Sequence, residues 1–294
     1  MHVPVLINRG GGTARGDPKI ADKVTDAFRK AGMDADVELI DGSECEARCR
    51  ELIERGVDLV VVGGGDGTIS AAASALAGTK TSLGILPLGT LNHFARDLGI
   101  PADLGEAAKL IAGKSNRDVD VAEMNGRVFI NNSAIGLYPL MVRDREAQQD
   151  RLGRNKWLAR IVASFRTLAR FGHQRLTLTV NDEQARVDTP LLFVGNNSYR
   201  LDIGAPGQRD AVDEGELSVF VMRKKTRRGS IAASVRALFN RVRGDDMVQL
   251  EHVQQLKVDS HRSALAVSLD GEVMRERPPL DYRIRSKALR VIAP

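Results

Sequence analysis

Four glycines and one aspartate fall within the six residues Gly63-Gly64-Gly65-Asp66-Gly67-Thr68, directly after the apolar run Val60-Val61-Val62. A buried strand that ends in glycine lets backbone amides approach a ligand closely, because no Cβ stands in the way. If a helix starts at once, its first N–H groups have no partners and its N-terminus carries partial positive charge. Phosphate is the ligand that such a corner suits. Asp66 would repel phosphate on its own, so its presence points to a Mg²⁺ ion bridging the carboxylate and a nucleotide. The run is not a dinucleotide fingerprint, since the third glycine of that pattern falls on Thr68. Nor is it a P-loop, since no Gly-Lys-Ser/Thr follows. The plain alternative is a tight strand-to-helix turn.

A second cluster, Pro87-Leu88-Gly89-Thr90-Leu91-Asn92, follows the next strand-like run. A third glycine-rich loop covers residues 8–16 and begins at Asn8. In a parallel sheet the loops after successive strands leave from one edge, where α/β proteins bind ligands. The candidate nucleotide contacts are therefore Asn8, Gly63, Gly64, Gly65, Gly67, Thr68, Gly89, Thr90 and Asn92.

The elements that must position these residues alternate. Strands are expected at 3–7, 35–40, 57–62 and 83–86, and helices at 18–30, 43–55, from about 68 and from about 91. Pro18 suits a first helical turn, and Ser43 with Glu46 has capping-box spacing. Such alternation implies a mainly parallel sheet with helices on both faces. Near residue 117 the pattern changes. Runs at 117–123 and 127–132 flank Asn125-Gly126, a strong type I′ hairpin signal. Further strand-like runs at 175–180, 191–194, 217–222, 253–258, 264–269, 280–285 and 289–292 imply a second, antiparallel domain. The expected domains are 1–122 for nucleotide and 123–294 for the second substrate.

The stretch from Gly64 to Thr68, with Leu86-Pro87-Leu88-Gly89-Thr90-Leu91-Asn92-His93-Phe94-Ala95-Arg96, resembles the catalytic domain of the diacylglycerol kinase and sphingosine kinase family. The resemblance covers essentially the whole chain. It implies an α/β nucleotide domain like that of the NAD kinases, a C-terminal β-sandwich bearing the lipid site, and ATP with Mg²⁺ between them. The chain departs from the family at Ile69-Ser70-Ala71, where Asn-Glu is frequent. It departs again at Arg9-Gly10-Gly11 after Asn8, and at Leu91, where many relatives carry glycine.

Within Ser268-Leu269-Asp270-Gly271-Glu272, the Asp-Gly pair alone reads as a turn. The resemblance makes Asp270 the base that accepts the proton of a lipid hydroxyl, a role contributing about 10²–10⁴ in rate, with Glu272 supporting its geometry. Asp213-Glu214-Gly215-Glu216 is similar to a family stretch holding a second Mg²⁺, with Asp213 and Glu214 as ligands; a solvated acidic turn is the equal alternative.

Charge is unevenly placed. Residues 151–175 carry seven basic side chains and residues 222–244 carry eight, with no acidic one in either, against a net charge of +5. Apolar residues recur at helical spacing within both. Basic amphipathic helices of this kind sit at membrane interfaces, so the implied partners are a lipid substrate and an anionic membrane surface. Nucleic acid is disfavoured, because aromatics for base stacking make up only 4% of the chain and the carboxylates would be unexplained. No apolar run spans a bilayer and no signal peptide is evident at the N-terminus, so a cytoplasmic, peripherally associated protein is expected. Cys45 and Cys49 lack a ligand cluster and read as structural thiols. An NAD kinase and a non-catalytic relative are the competing readings, and homo-oligomerisation is left open.

Overall fold

The computed structural model describes residues 2–136, 174–199, 209, 211–222 and 247–294. The basic segments 151–175 and 222–244 lie outside the described residues, except for 174, 175 and 222, which are strand.

The N-terminal layer forms as its hydrophobic pattern dictates. Strands β1 (His2–Asn8), β2 (Asp34–Ile40), β3 (Leu59–Gly64) and β4 (Ser82–Pro87) pair in parallel, in the order β2-β1-β3-β4. Side chains alternate between the faces of a strand, so Val60 and Val62 enter one core while Val61 enters another. Helices α1 (Ile20–Lys30) and α5 (Leu104–Ala112) cover the Val61 face through Val24, Phe28 and Ile111. Helices α2 (Cys45–Glu54) and α3 (Asp66–Leu76) cover the other through Cys49, Leu52, Ala72 and Leu76. The alanines of α3 combine high helix propensity with little bulk, so the helix lies close on the sheet.

Strand β5 (Asn116–Met124) turns at Asn125 and Gly126, both at positive φ, into β6 (Arg127–Phe129), the expected hairpin. The run expected to continue to 132 stops at Phe129. The chain changes sheet at Ile130-Asn131, and β7 (Asn132–Gly136) belongs to the second sheet. That sheet is completed by β10 (Leu191–Asn196), β11 (Leu217–Met222), β12 (Met247–Val253), β14 (Leu265–Leu269) and β15 (Glu272–Glu276), in the order β12-β11-β10-β7-β14-β15. Its pairings are antiparallel.

The last strand, β16 (Leu280–Ile292), links the two halves of the other sheet. It pairs antiparallel with β5 and with β13 (Gln255–Asp259), and in parallel with β4 at Val291–Leu83. Beyond β13 lie β8 (Gln174–Val180) and β9 (Glu183–Thr189). One ten-stranded sheet therefore runs through both parts of the chain, and the six-stranded sheet faces its antiparallel portion across a core of Phe129, Leu192, Val219, Val267 and Tyr282.

Several local expectations shift. The runs at 280–285 and 289–292 are one strand with a bulge, in which Lys287 N–H donates to buried Asp120 Oδ1 at 2.7 Å. The capping box lies two residues earlier than Ser43–Glu46: Asp41 and Glu44 form it on a 3₁₀ turn before α2. The helix expected from about 91 is short, α4 (His93–Asp97), and α5 follows it after Pro101. Cys45 and Cys49 are buried on one face of α2, where their mutual hydrogen bond and burial push the Cys49 thiol up.

Candidate functional site

The three glycine-rich loops meet at the edge of the parallel strands. Thr13 N–H donates to Leu88 O at 2.8 Å, and Leu88 N–H donates to Gly64 O at 3.1 Å. A Cβ on Gly89 would stand 2.3 Å from Gly65 Cα, and one on Gly12, at φ +52°, would stand 1.8 Å from Leu88 O. Only glycine permits backbones this close. By contrast, a Cβ on Gly67 would meet nothing within 4 Å. The start of α3 has no side-chain cap, so the amides of Asp66, Gly67 and Thr68 point into this space without helical partners.

Two predicted contact residues build the loops. Asn8 Nδ2 donates to Thr68 Oγ1 at 2.8 Å while its Oδ1 accepts from Gly10 N at 2.9 Å. Asn92, at φ +49°, accepts from Gly89 N at 2.9 Å and donates to Pro87 O and Gly89 O. Thr90 is exposed at the tip of the same loop. Asp66 Oδ1 accepts from Phe94 N at 3.2 Å, which fastens the glycine loop to α4. Its other oxygen has no protein partner among the described residues. One carboxylate oxygen with substrate phosphates is a sufficient donor set for Mg²⁺, which keeps most of its water.

Asp270 and Gly271 form the two-residue turn between β14 and β15, both at positive φ. The turn projects the Asp270 carboxylate toward the crossover at 130–132 and toward α3. Oδ1 accepts from Asn131 N at 2.8 Å and Asn132 N at 3.0 Å. Oδ2 accepts from Ile130 N at 2.8 Å and from Ser70 Oγ at 2.5 Å. Burial of the carboxylate pushes its pKa above the usual range, and these same donors oppose that shift. Glu272 is exposed at the start of β15, with no partner among the described residues. Asp270 and the glycine loop thus reach each other through α3: Asp66 opens the helix and Ser70, four residues on, shares its face.

A buried cation braces this arrangement. The guanidinium of Arg209 is fully buried and pairs with buried Asp97 at 2.8 Å. It also donates to Ile130 O and to Asn131 Oδ1, at 2.5 and 3.2 Å, and lies over the rings of Phe94 and Tyr199. Asn131 is one of the polar residues ending a strand run that sequence offers as cleft lining or turn cap; Ser70, Asp97 and Arg209 carry no such signal as site residues. Asp97 directly follows Arg96, and Ser70 stands in the Ile69-Ser70-Ala71 departure just after the glycine loop, whereas Arg209 borders no motif.

Asp213 and Glu214 lie in the loop before β11. Asp213 pairs with Arg117 at 3.1 Å, and Glu214 Oε2 accepts from Ser198 N at 3.1 Å. Buried Asn197 and Asp120 hold the same loop through Gly215 N. Among the described residues no group of three or more His, Cys, Asp or Glu side chains is placed to hold a metal ion. No described helix is long and apolar enough to cross a membrane.

Residues 2–124 match the diacylglycerol kinase catalytic domain. Residues 142–293 match the YegS C-terminal NAD kinase beta sandwich-like domain. A probable lipid kinase YegS-like protein of Pseudomonas savastanoi pv. phaseolicola is 30% identical over 283 residues, 94% of this chain and 88% of the relative. One of the same description from Pseudomonas syringae pv. tomato is 42% identical over 120 residues, which is 40% of this chain and only 39% of that relative. A crystal structure of a diacylglycerol kinase from Bacillus anthracis superposes with a TM-score of 0.71 at 21% identity, covering 100% of this chain and 97% of the other, and shares its fold.

Proposed function

The chain belongs to the diacylglycerol kinase-like family of lipid kinases, and from that premise we propose that it transfers the γ-phosphate of ATP to the hydroxyl of a lipid at a membrane surface. The observation that carries this reading is the contact of Asp270 with Ser70, which sets a buried carboxylate one helical turn from the glycine loop. Phosphoryl transfer depends mainly on in-line positioning and on neutralising phosphate charge. The free amides at 66–68 and the neighbouring glycines hold the phosphates; Mg²⁺, when bound at Asp66, supplies countercharge. Asp270 takes up the proton of the lipid hydroxyl, and Glu272 borders the same turn. Residues 1–122 serve the nucleotide and 123–294 the lipid. Asp213 and Glu214 would hold a second Mg²⁺, which would replace Arg117 as the countercharge to Asp213; the equal reading is the acidic turn that the Arg117 pair already neutralises.

The acceptor class includes diacylglycerol, sphingoid bases and ceramide. The seven and eight basic residues of 151–175 and 222–244 bring the protein to anionic lipid, each contributing about 1 kcal/mol near such a surface. A soluble acceptor would give these segments no role.

The test is transfer of labelled γ-phosphate from ATP to a lipid panel in anionic vesicles, with NAD as soluble comparator, with and without Mg²⁺ and over a salt series. The expected result is a labelled lipid, dependent on Mg²⁺, lost in Asp270→Asn and weakened by salt, since surface attraction is screened within about 10 Å at 0.1 M. Labelled NADP would assign the chain to soluble phosphotransfer instead. Silence across the panel with retained ATP binding would favour a non-catalytic role.

A further inference from the structure

Resting on that kinase reading, we propose that Ser70 is a catalytic proton relay, standing between the acceptor hydroxyl and Asp270. A carboxylate offers about four lone-pair positions. Here Ile130 N, Asn131 N, Asn132 N and Ser70 Oγ fill them. Three of these donors are peptide N–H groups, which are fixed by the sheet crossover and do not surrender their protons. A substrate hydroxyl has no vacant position on Asp270 to approach.

Ser70 Oγ–H is the one donor whose proton can move. Ser70 is half-buried on the first turns of α3, on the face it shares with Asp66 and so toward the phosphate loop. Its oxygen donates to Asp270 and accepts from no described group, so its own lone pairs remain available to a second hydroxyl. The step then balances as follows. The lipid O–H bond breaks as its proton passes to Ser70 Oγ, while the Ser70 proton passes to Asp270 Oδ2. The freed electron pair of the lipid oxygen forms the new bond to the γ-phosphorus of the nucleoside triphosphate. The bond from that phosphorus to the bridging oxygen breaks, and the nucleoside diphosphate leaves with the electron pair.

The full-length chain carrying Ser70→Ala or Ser70→Thr tests this in the ATP and lipid-vesicle assay. kcat and KM are followed separately against pH, alongside thermal melting. In Ser70→Ala, kcat should fall about 10²-fold or more, the lower bound for general acid–base catalysis. KM for ATP and the melting temperature should stay close to wild type. The acidic limb of its kcat profile should move to higher pH, because a donor favouring the charged carboxylate is gone. Ser70→Thr keeps the hydroxyl and should recover most of the rate. Full kcat in Ser70→Ala would overturn the relay and direct the proton elsewhere, with exposed Glu272 the nearest candidate in sequence. Equal losses in Ala and Thr variants would overturn it too, showing a packing role alone. A wild-type chain that phosphorylates no lipid fails the kinase reading itself; an active wild type with an active Ser70→Ala variant fails only the relay.

Discussion

In the proposed reaction Asp270 does structural and chemical duty with the same two oxygens, and that sets what Asp270→Asn should do. An amide replaces one acceptor oxygen by an NH₂ group, yet every partner in place is a donor. Ser70 can rotate to accept, but a peptide N–H cannot. With the amide nitrogen on the Oδ2 side, Ile130 N–H loses its acceptor, and a buried donor left unpaired costs about 1–3 kcal/mol. Urea unfolding near neutral pH should show a loss in that range, so lost turnover has to be read at temperatures where the variant is folded. The pH dependence has a definite sign. Burial raises the Asp270 pKa in the folded state, so the folded chain holds this proton more readily than the unfolded one. Stability from this group is greatest below the unfolded carboxyl pKa and declines as pH rises through the folded value. In the proposed role activity runs the other way, because a base must be ionised. Asp270→Asn should therefore flatten the stability profile across that window. From sequence the Asp-Gly pair was legible as a turn, and both residues do occupy the turn. Its contacts were not, since Ser70 lies 200 positions away and the crossover about 140.

At the scale of elements, the parallel layer is legible because β1, β3 and β4 carry apolar runs with glycines at or just past their ends, while β2, with three acidic residues, is a largely exposed edge strand. The Asn125-Gly126 hairpin was legible because type I′ turns require positive φ at both central positions. β9 gives no strand signal in sequence: Glu-Gln-Ala-Arg-Val-Asp-Thr is largely exposed and polar, and pairing with β8 decides it. The unity of β16 does not show in sequence because polar Ser286-Lys287 interrupts it, at a bulge where Lys287 N–H donates to Asp120 of β5. The glycines of the 63–68 and 87–92 loops divide into kinds that sequence does not separate. Gly89 is required by the approach of Gly65, whereas a Cβ on Gly67 meets no described atom within 4 Å beyond its chain neighbours and its own helix backbone. Gly89→Ala should lower the melting temperature and weaken ATP binding, as the 63–68 and 87–92 loops are forced apart. Gly67→Ala should leave the protein as stable or add up to about 1 kcal/mol, the helix-interior difference between the two residues. Thermal melting of the pair reads this directly; equal losses would mean that the loop approach is not what demands glycine at 89.

Across the whole molecule, the parallel layer and the sandwich are linked among the described residues by β16, by the Ser70–Asp270 contact and by the buried Arg209–Asp97 ion pair. Asp97 ends α4, which Asp66 ties to the glycine loop; Arg209 reaches from it to Ile130 and Asn131, whose amides hold Asp270. Nothing in the sequence marks Arg209. Its ion-pair partner lies 112 positions away and its carbonyl partner 79, and a single arginine in a polar stretch carries no periodicity. Removing one member of a buried pair leaves an uncompensated charge, at a cost of about 3–5 kcal/mol. Asp97→Asn and Arg209→Met should each lose stability on that scale. The double variant should lose less than the two losses combined, because residues in one ion pair are coupled. A purely local role would leave the surviving double variant with normal turnover. If Arg209 instead fixes the crossover that holds Asp270, the double variant should bind ATP normally while its kcat falls, since the glycine loop keeps its own hydrogen bonds and the carboxylate loses its frame. Additive stability losses, or kcat unchanged beside a weakened ATP affinity, would place the coupling between the layers elsewhere, in β16 or in the Ser70–Asp270 contact.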